Sequence, residues 1–94
     1  MTMNDVDDRA FVLVGDLTIA TYPEQRKTAI TALKQGRTIV DFQKVNDLDS
    51  SAVAFMLECV RVSKKQAKFR SLPKALSGLV DLYGVADLFD TKLG

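Results

Sequence analysis

Short apolar blocks alternate with polar punctuation along this chain, and the blocks switch between strand and helix character. Ala10-Phe11-Val12-Leu13-Val14 is a continuous apolar run of strand length, and Gly15-Asp16 closes it with turn chemistry. Thr21-Tyr22-Pro23-Glu24 predicts a helix start, with Thr21 able to cap, Pro23 suited to the first turn and Glu24 three residues after the cap. That helix is expected to run to about Gln35, with Ile30 and Leu33 on one face, Ala29 beside them and Gly36 as the stop. A buried strand from about Arg37 to Phe42 follows, then a polar loop from Gln43 to Leu48. A long apolar helix is predicted from about Ser50 to Gln66, and a short strand from about Lys68 to Leu72. Pro73 opens a third helix in which Leu76, Leu79, Val80 and Tyr83 fall at i, i+3, i+4 and i+7. Gly84 is its expected stop, and Val85 to Phe89 form a closing turn or short helix. At the N-terminus, residues 1–9 read as a poorly ordered tail, or as a short edge strand over Thr2 to Val6.

Strands alternating with helices predict an α/β domain. The expected form is a small, mixed, mostly parallel sheet of about four strands packed with three to four α-helices. The 94 residues suffice for one domain, with no internal repeat, linker or low-complexity segment.

The central helix carries more apolar residues than one face needs. With Val53 at the origin of a helical wheel of about 100° per residue, Met56, Leu57 and Val60 cluster within roughly 60° of it. That stripe is the expected core face. Phe55, Cys59 and Val62 fall on the opposite side and form a second apolar ridge, flanked by Ser51, Glu58 and Arg61. A helix apolar on opposite faces is either sandwiched inside the fold or covered by another protein. A chain this short has little length to spare for internal cover, so the ridge is expected to meet a partner.

Composition narrows the chemistry. Apolar residues make up 47% and charged residues 27%, which is the balance of a folded globular protein. A net charge of +1 gives no bulk attraction to nucleic acid. No apolar run approaches the roughly 18 residues of a membrane span, and the polar, acidic N-terminus does not resemble a signal peptide. The single cysteine, Cys59, precludes an internal disulfide and fits a reducing compartment. The expected location is therefore cytoplasmic. The chain has no histidine, so neither a Ser-His-Asp nor a Cys-His site can form, and no Walker loop or GxGxxG is present. No enzyme activity, cofactor or metal is expected. Asp41, Asp47 and Asp49 bracket one loop, but three acidic residues in such a loop are ordinary and match no ligand pattern. Arg61, Lys64, Lys65, Lys68, Arg70 and Lys74 form the one basic run. A favourable contact with the helix dipole accounts for Lys64 and Lys65, and contact with anionic lipid headgroups is a secondary use.

The turn Asp49-Ser50-Ser51-Ala52 is the most informative motif. It lies between an apolar strand and the N-terminus of the central helix, where unpartnered backbone N–H groups suit a capping side chain, an acidic group or a phosphate. Strand, loop, turn and helix together resemble the STAS domain, the fold of anti-sigma-factor antagonists and of the cytoplasmic regions of sulfate transporters. The resemblance spans about Ala10 to Phe89. In antagonists the motif reads Asp-Ser-Ser/Thr-Gly, and the first hydroxyl residue, here Ser50, is the phosphoacceptor; Ala52 stands where those proteins usually have glycine. Three further features resemble the MlaB branch, small STAS subunits of bacterial phospholipid ABC transporters. These are the apolar positions Phe55, Cys59 and Val62, the helix end Lys64-Lys65-Gln66, and Leu82-Tyr83 before the closing turn. That resemblance implies a non-enzymatic subunit, peripheral to the inner membrane, that binds the transporter's ATPase subunit and through it the permease. The complex would maintain outer-membrane lipid asymmetry. Ser50, Ser51, Phe55, Cys59 and Val62 would form the contact. The alternative is an anti-sigma-factor antagonist switched by phosphorylation of Ser50.

Overall fold

The computed structural model describes residues 9–89. The elements are β1 (Ala10–Leu17), α1 (Tyr22–Lys34), β2 (Ile39–Leu48), α2 (Ser51–Val62), β3 (Lys68–Arg70) and α3 (Lys74–Leu82), followed by a 3-10 turn over Ala86–Leu88. The strands form one sheet in the order β1-β2-β3, with both pairs parallel. The expected α/β architecture therefore holds, with three strands among the described residues. The suggested edge strand at Thr2 to Val6 lies outside them.

Each parallel pair needs a crossover, and α1 and α2 supply the two. One core cluster joins Leu13, Leu17, Val40, Phe42 and Phe69 of the sheet to Ala29 and Leu33 of α1, to α2, and to Leu76 and Val80 of α3. All three helices thus lie against one face. Phe42 links the layers: its ring meets Phe55 of α2 edge-on at 6.2 Å and Phe69 of β3 at 6.1 Å. Phe89 closes the cluster, packing edge-on against Phe69 at 5.5 Å. Asp41, of opposite parity to Val40 and Phe42, is also buried. It accepts hydrogen bonds from the Gln43 N–H at 2.9 Å and from Nε of Arg70 at 3.0 Å, so its charge is paired.

Several boundaries differ from the sequence expectation, each for a local reason. Gly15-Asp16 does not end β1. Gly15 adopts φ +97°, the register shifts on both sides of it, and the strand runs on to Leu17. That is bulge behaviour, which glycine permits without a turn. The segment Gln43–Leu48 extends β2 instead of forming a loop. In the other direction, α2 stops at Val62, because Lys64 and Lys65 turn left-handed at φ 55° and 70°. Ser71, at φ 59°, ends β3 before Leu72.

The largest correction concerns α2. Phe55 and Cys59 are 0% and 2% exposed and belong to the core, whereas Leu57, assigned to the core face, is 38% exposed. The buried arc runs from Phe55 and Cys59 through Ala52 and Met56 to Val53, with Val60 partly buried between the last two. It is one broad face rather than two opposed ones. The helix lies on the sheet and also contacts both α1 and α3, so three neighbours widen its buried side. Val62 is half-buried at the end of the helix. In α3 the stripe is confirmed at Leu76 and Val80 and partly at Leu79, but Tyr83 is exposed.

Candidate functional site

All three strands run the same way, so the loops after β1 and β2 meet at one edge of the sheet. Asp49 ties them together. Its Oδ2 accepts the Ile19 N–H of the first loop at 3.0 Å, and its Oδ1 accepts the Ser51 N–H at 2.8 Å. The second bond spans two residues and satisfies a donor that the start of α2 would otherwise leave open. These donated bonds hold the Asp49 carboxyl below its ordinary pKa, first the one from Ile19 and then the one from Ser51. The backbone closes the same corner, with Asp49 N donating to the Leu17 carbonyl at 3.3 Å and Ala52 N to the Asp49 carbonyl at 2.9 Å.

Of the two residues able to cap α2, Asp49 therefore does the work. Ser50 occupies the N-cap position at φ −63° and ψ −15°, and its hydroxyl makes no capping bond. It is exposed, with its oxygen uncommitted, at a helix N-terminus. Ser51 beside it is half-buried, and its N–H is the one that Asp49 holds. Ala52 is fully buried, so the methyl that replaces the motif's usual glycine fills core space.

The β1–α1 loop is held just as firmly. The Thr21 Oγ1 accepts the Thr18 N–H at 2.9 Å and donates to the Asp16 carbonyl at 2.9 Å, so Thr21 stabilises the loop rather than capping α1. Gln25 anchors the first helix to β1 by donating its Nε2 protons to the carbonyls of Val14 and Asp16, both at 2.9 Å. These contacts present Ile19 to solvent at 75% exposure, on the loop that Asp49 bridges to the Ser50 turn.

Asp41, Asp47 and Asp49 do not gather. Asp41 faces Arg70, Asp49 holds two backbone N–H groups, and the Asp47 N–H donates to Asp16 Oδ1 at 3.1 Å. Among the described residues no cluster suited to a metal forms. Burial pushes the Cys59 thiol up to about 12, with the Glu58 charge adding to the effect, so the thiol stays protonated and inert in the fold.

Of the five residues expected to meet a partner, the structure leaves Ser50 exposed and Ser51 and Val62 half-buried. Phe55 and Cys59 face inward and cannot reach a partner while the core is intact. The outward face of α2 instead carries Ser50, Ala54, Leu57 and Arg61, at i, i+4, i+7 and i+11. That spacing was available in the sequence, but two small residues and one leucine looked less conspicuous than Phe55 and Cys59.

A charge relay flanks this face. Glu58 accepts from Nε of Arg26 on α1 at 2.9 Å and from Nε and Nη2 of Arg61 at 2.8 and 2.7 Å. The Arg61 bonds and then those of Arg26 hold the Glu58 carboxyl down at about 2, well below its ordinary value of 4.5. A depressed carboxylate contributes stability above its unfolded pKa and loses it as pH falls through the folded one. The stabilisation from this site is therefore expected to be complete above about pH 4.5 and to fade toward pH 2. Urea midpoints of the wild type minus those of Glu58→Gln should converge across that window. A difference independent of pH would show that the ion pair adds nothing. Arg61 is two-thirds exposed, so added salt should shrink the difference.

The family model described as "Mlab, STAS domain" matches residues 4–91. Among solved structures, the anti-sigma factor antagonist SpoIIAA in its unphosphorylated form is similar at a TM-score of 0.61 and 20% identity. The match covers 87% of this chain and 76% of that one, and it shows a shared fold. No curated protein matches the sequence.

Proposed function

Because this chain belongs to the STAS domain family, in the branch whose model is described as Mlab, we propose that it is a regulatory subunit without catalysis of its own. It docks on the ATPase subunit of a phospholipid-transporting ABC complex and through it joins the permease, at the cytoplasmic side of the inner membrane. The observation that supports this reading best is the exposed, uncommitted Ser50 hydroxyl at the head of the stripe Ala54, Leu57 and Arg61, with Ile19 nearby. Stable bonds fix the loop and the turn before any partner arrives, so little ordering cost falls on association. A subunit of this kind acts by binding one arrangement of the ATPase better than another and shifts that equilibrium by the difference in affinity. Among the described residues no helix is long and apolar enough to cross a membrane.

The contact differs from the sequence expectation in its apolar part. Leu57 and Ile19 take the role first given to Phe55 and Cys59. Leu57→Asp tests this. Leu57 is partly solvated, so the domain should keep its circular dichroism and urea midpoint, while the ATPase should no longer co-purify. Co-purification at wild-type yield would overturn the placement. The same surface also suits the second reading, an anti-sigma-factor antagonist, which the likeness to SpoIIAA and the accessibility of Ser50 favour. A pulldown from native membranes separates the two: an ABC ATPase with its permease supports the first, and a soluble kinase-like anti-sigma factor the second.

A further inference from the structure

Cations dominate one end of the strands, whereas the other end is mixed, with Arg70 and Lys74 beside its acids. At the edge bearing the Ser50 turn lie Asp16, Glu24, Asp47 and Asp49. The opposite edge collects cations from the three strands and from the ends of α1 and α2. Arg9 precedes β1, Arg37 precedes β2 and Lys68 opens β3. They stand side by side, as Ile39 N donates to the Arg9 carbonyl at 2.9 Å and Lys68 N to the Thr38 carbonyl at 2.8 Å. Each helix runs back against the strands, so α1 delivers Lys34 to this edge and α2 delivers Lys64 and Lys65. All six side chains are exposed. The end of α3 arrives beside them with Leu82 and Tyr83, 75% and 52% exposed, and Leu88 follows on the 3-10 turn.

Helix-dipole contact explains Lys64 and Lys65 but not Arg37, which sits just before a strand. The backbone adds an independent point. Lys64 and Lys65 occupy φ 55° and 70°, positions that favour glycine or asparagine, so lysine stands there against local preference.

We propose that this basic edge, with Leu82, Tyr83 and Leu88 at its margin, docks on the anionic phospholipid headgroups of a bilayer. Lysine and arginine clusters respond to a negative lipid surface, while tyrosine and leucine side chains suit the interface between headgroup and acyl chain. A nucleic-acid backbone would satisfy the cations but leave the two leucines without a counterpart. The surface is separate from the Ser50 turn, so both can be occupied together, and the proposal holds whichever partner takes that turn. Asp81 and Asp87 lie on the α3 side, and the sequence places Asp5, Asp7 and Asp8 just before Arg9. The attraction is thus a property of the patch and not of the net charge of +1.

Flotation of the full chain with phosphatidylcholine vesicles, with and without phosphatidylglycerol, tests this. Binding is expected only to the anionic vesicles, and it should weaken as salt rises. Each cation near such a surface is worth roughly a fivefold factor in partitioning, so Lys64→Glu/Lys65→Glu should lower binding more than tenfold. Lys34→Glu/Arg37→Glu should do the same, which guards against misfolding of the first pair. Lys44→Glu/Lys74→Glu makes the same change in net charge away from this edge and should leave binding nearly intact. Failure of the wild type to float, equal binding to neutral vesicles, or equal loss in all three variants would overturn the proposal. So would capture of an acidic protein through Lys64 and Lys65 by a chain that ignores the vesicles.

Discussion

Phe55→Asp is expected to unfold the domain. The Phe55 ring is fully buried and meets Phe42 edge-on, at the centre of the contact between α2 and the sheet. Removing the ring alone should cost about 3–5 kcal/mol, from lost transfer free energy and the cavity left behind. A carboxylate in its place adds several kcal/mol more, because no cation in the core cluster can pair with it. A small domain holds only about 5–15 kcal/mol in reserve. The variant should therefore lose its cooperative urea transition at neutral pH. Leu57→Asp, two residues on, should retain it. Phe55→Asp with a wild-type midpoint would return Phe55 to the surface, and with it the ridge read from the sequence.

That pair of residues also shows what the sequence could tell. Strand and helix order was legible because apolar runs, Pro23, Pro73, Gly36 and Gly84 punctuate the chain where elements begin and end. Element boundaries were less so. Gly15 supports either a turn or a bulge, and only pairing with β2 decides between them. Lys64 and Lys65 continue a helical pattern in composition, yet the backbone turns left-handed at both. The buried arc of α2 is centred nearer Ala52 and Met56 than Val53, so it takes in Phe55 and Cys59 and leaves Leu57 outside. Alanine carries little weight in a hydrophobic pattern but marks where a helix can approach its neighbours most closely. The breadth of the buried arc depends on α1 and α3 lying on either side, which no local pattern encodes. The Ser50 turn was legible for a different reason: few residue types can cap a helix, and Asp-Ser-Ser at the end of an apolar strand names the place.

The Ser50 series should give the clearest functional separation. Asp49 carries the cap, so Ser50→Ala should change stability by no more than about 0.5 kcal/mol, as at other exposed positions. Asp49→Ala, by contrast, should lower the urea midpoint measurably, since it leaves the N–H donors of Ser51 and Ile19 without their shared acceptor. With stability unaffected at Ser50, affinity for the ATPase subunit proposed as its partner reports contact alone. Ser50→Thr should be tolerated, because one added methyl at an exposed helix N-terminus meets no core atom. Ser50→Arg should abolish binding, by pushing a long charged chain into a surface that must exclude water. Ser50→Asp distinguishes the two readings. If Ser50 packs against a partner, its carboxylate joins Asp16, Asp47 and Asp49 at an edge already acidic, and affinity falls whatever the nucleotide state. If Ser50 is a phosphoacceptor, a phosphate would bring about −1.5 to −2 charges. Ser50→Asp should then mimic the modified state and Ser50→Ala the unmodified one, with opposite effects on one partner. Packing is the expected result, and wild-type affinity in Ser50→Arg would remove Ser50 from the contact altogether.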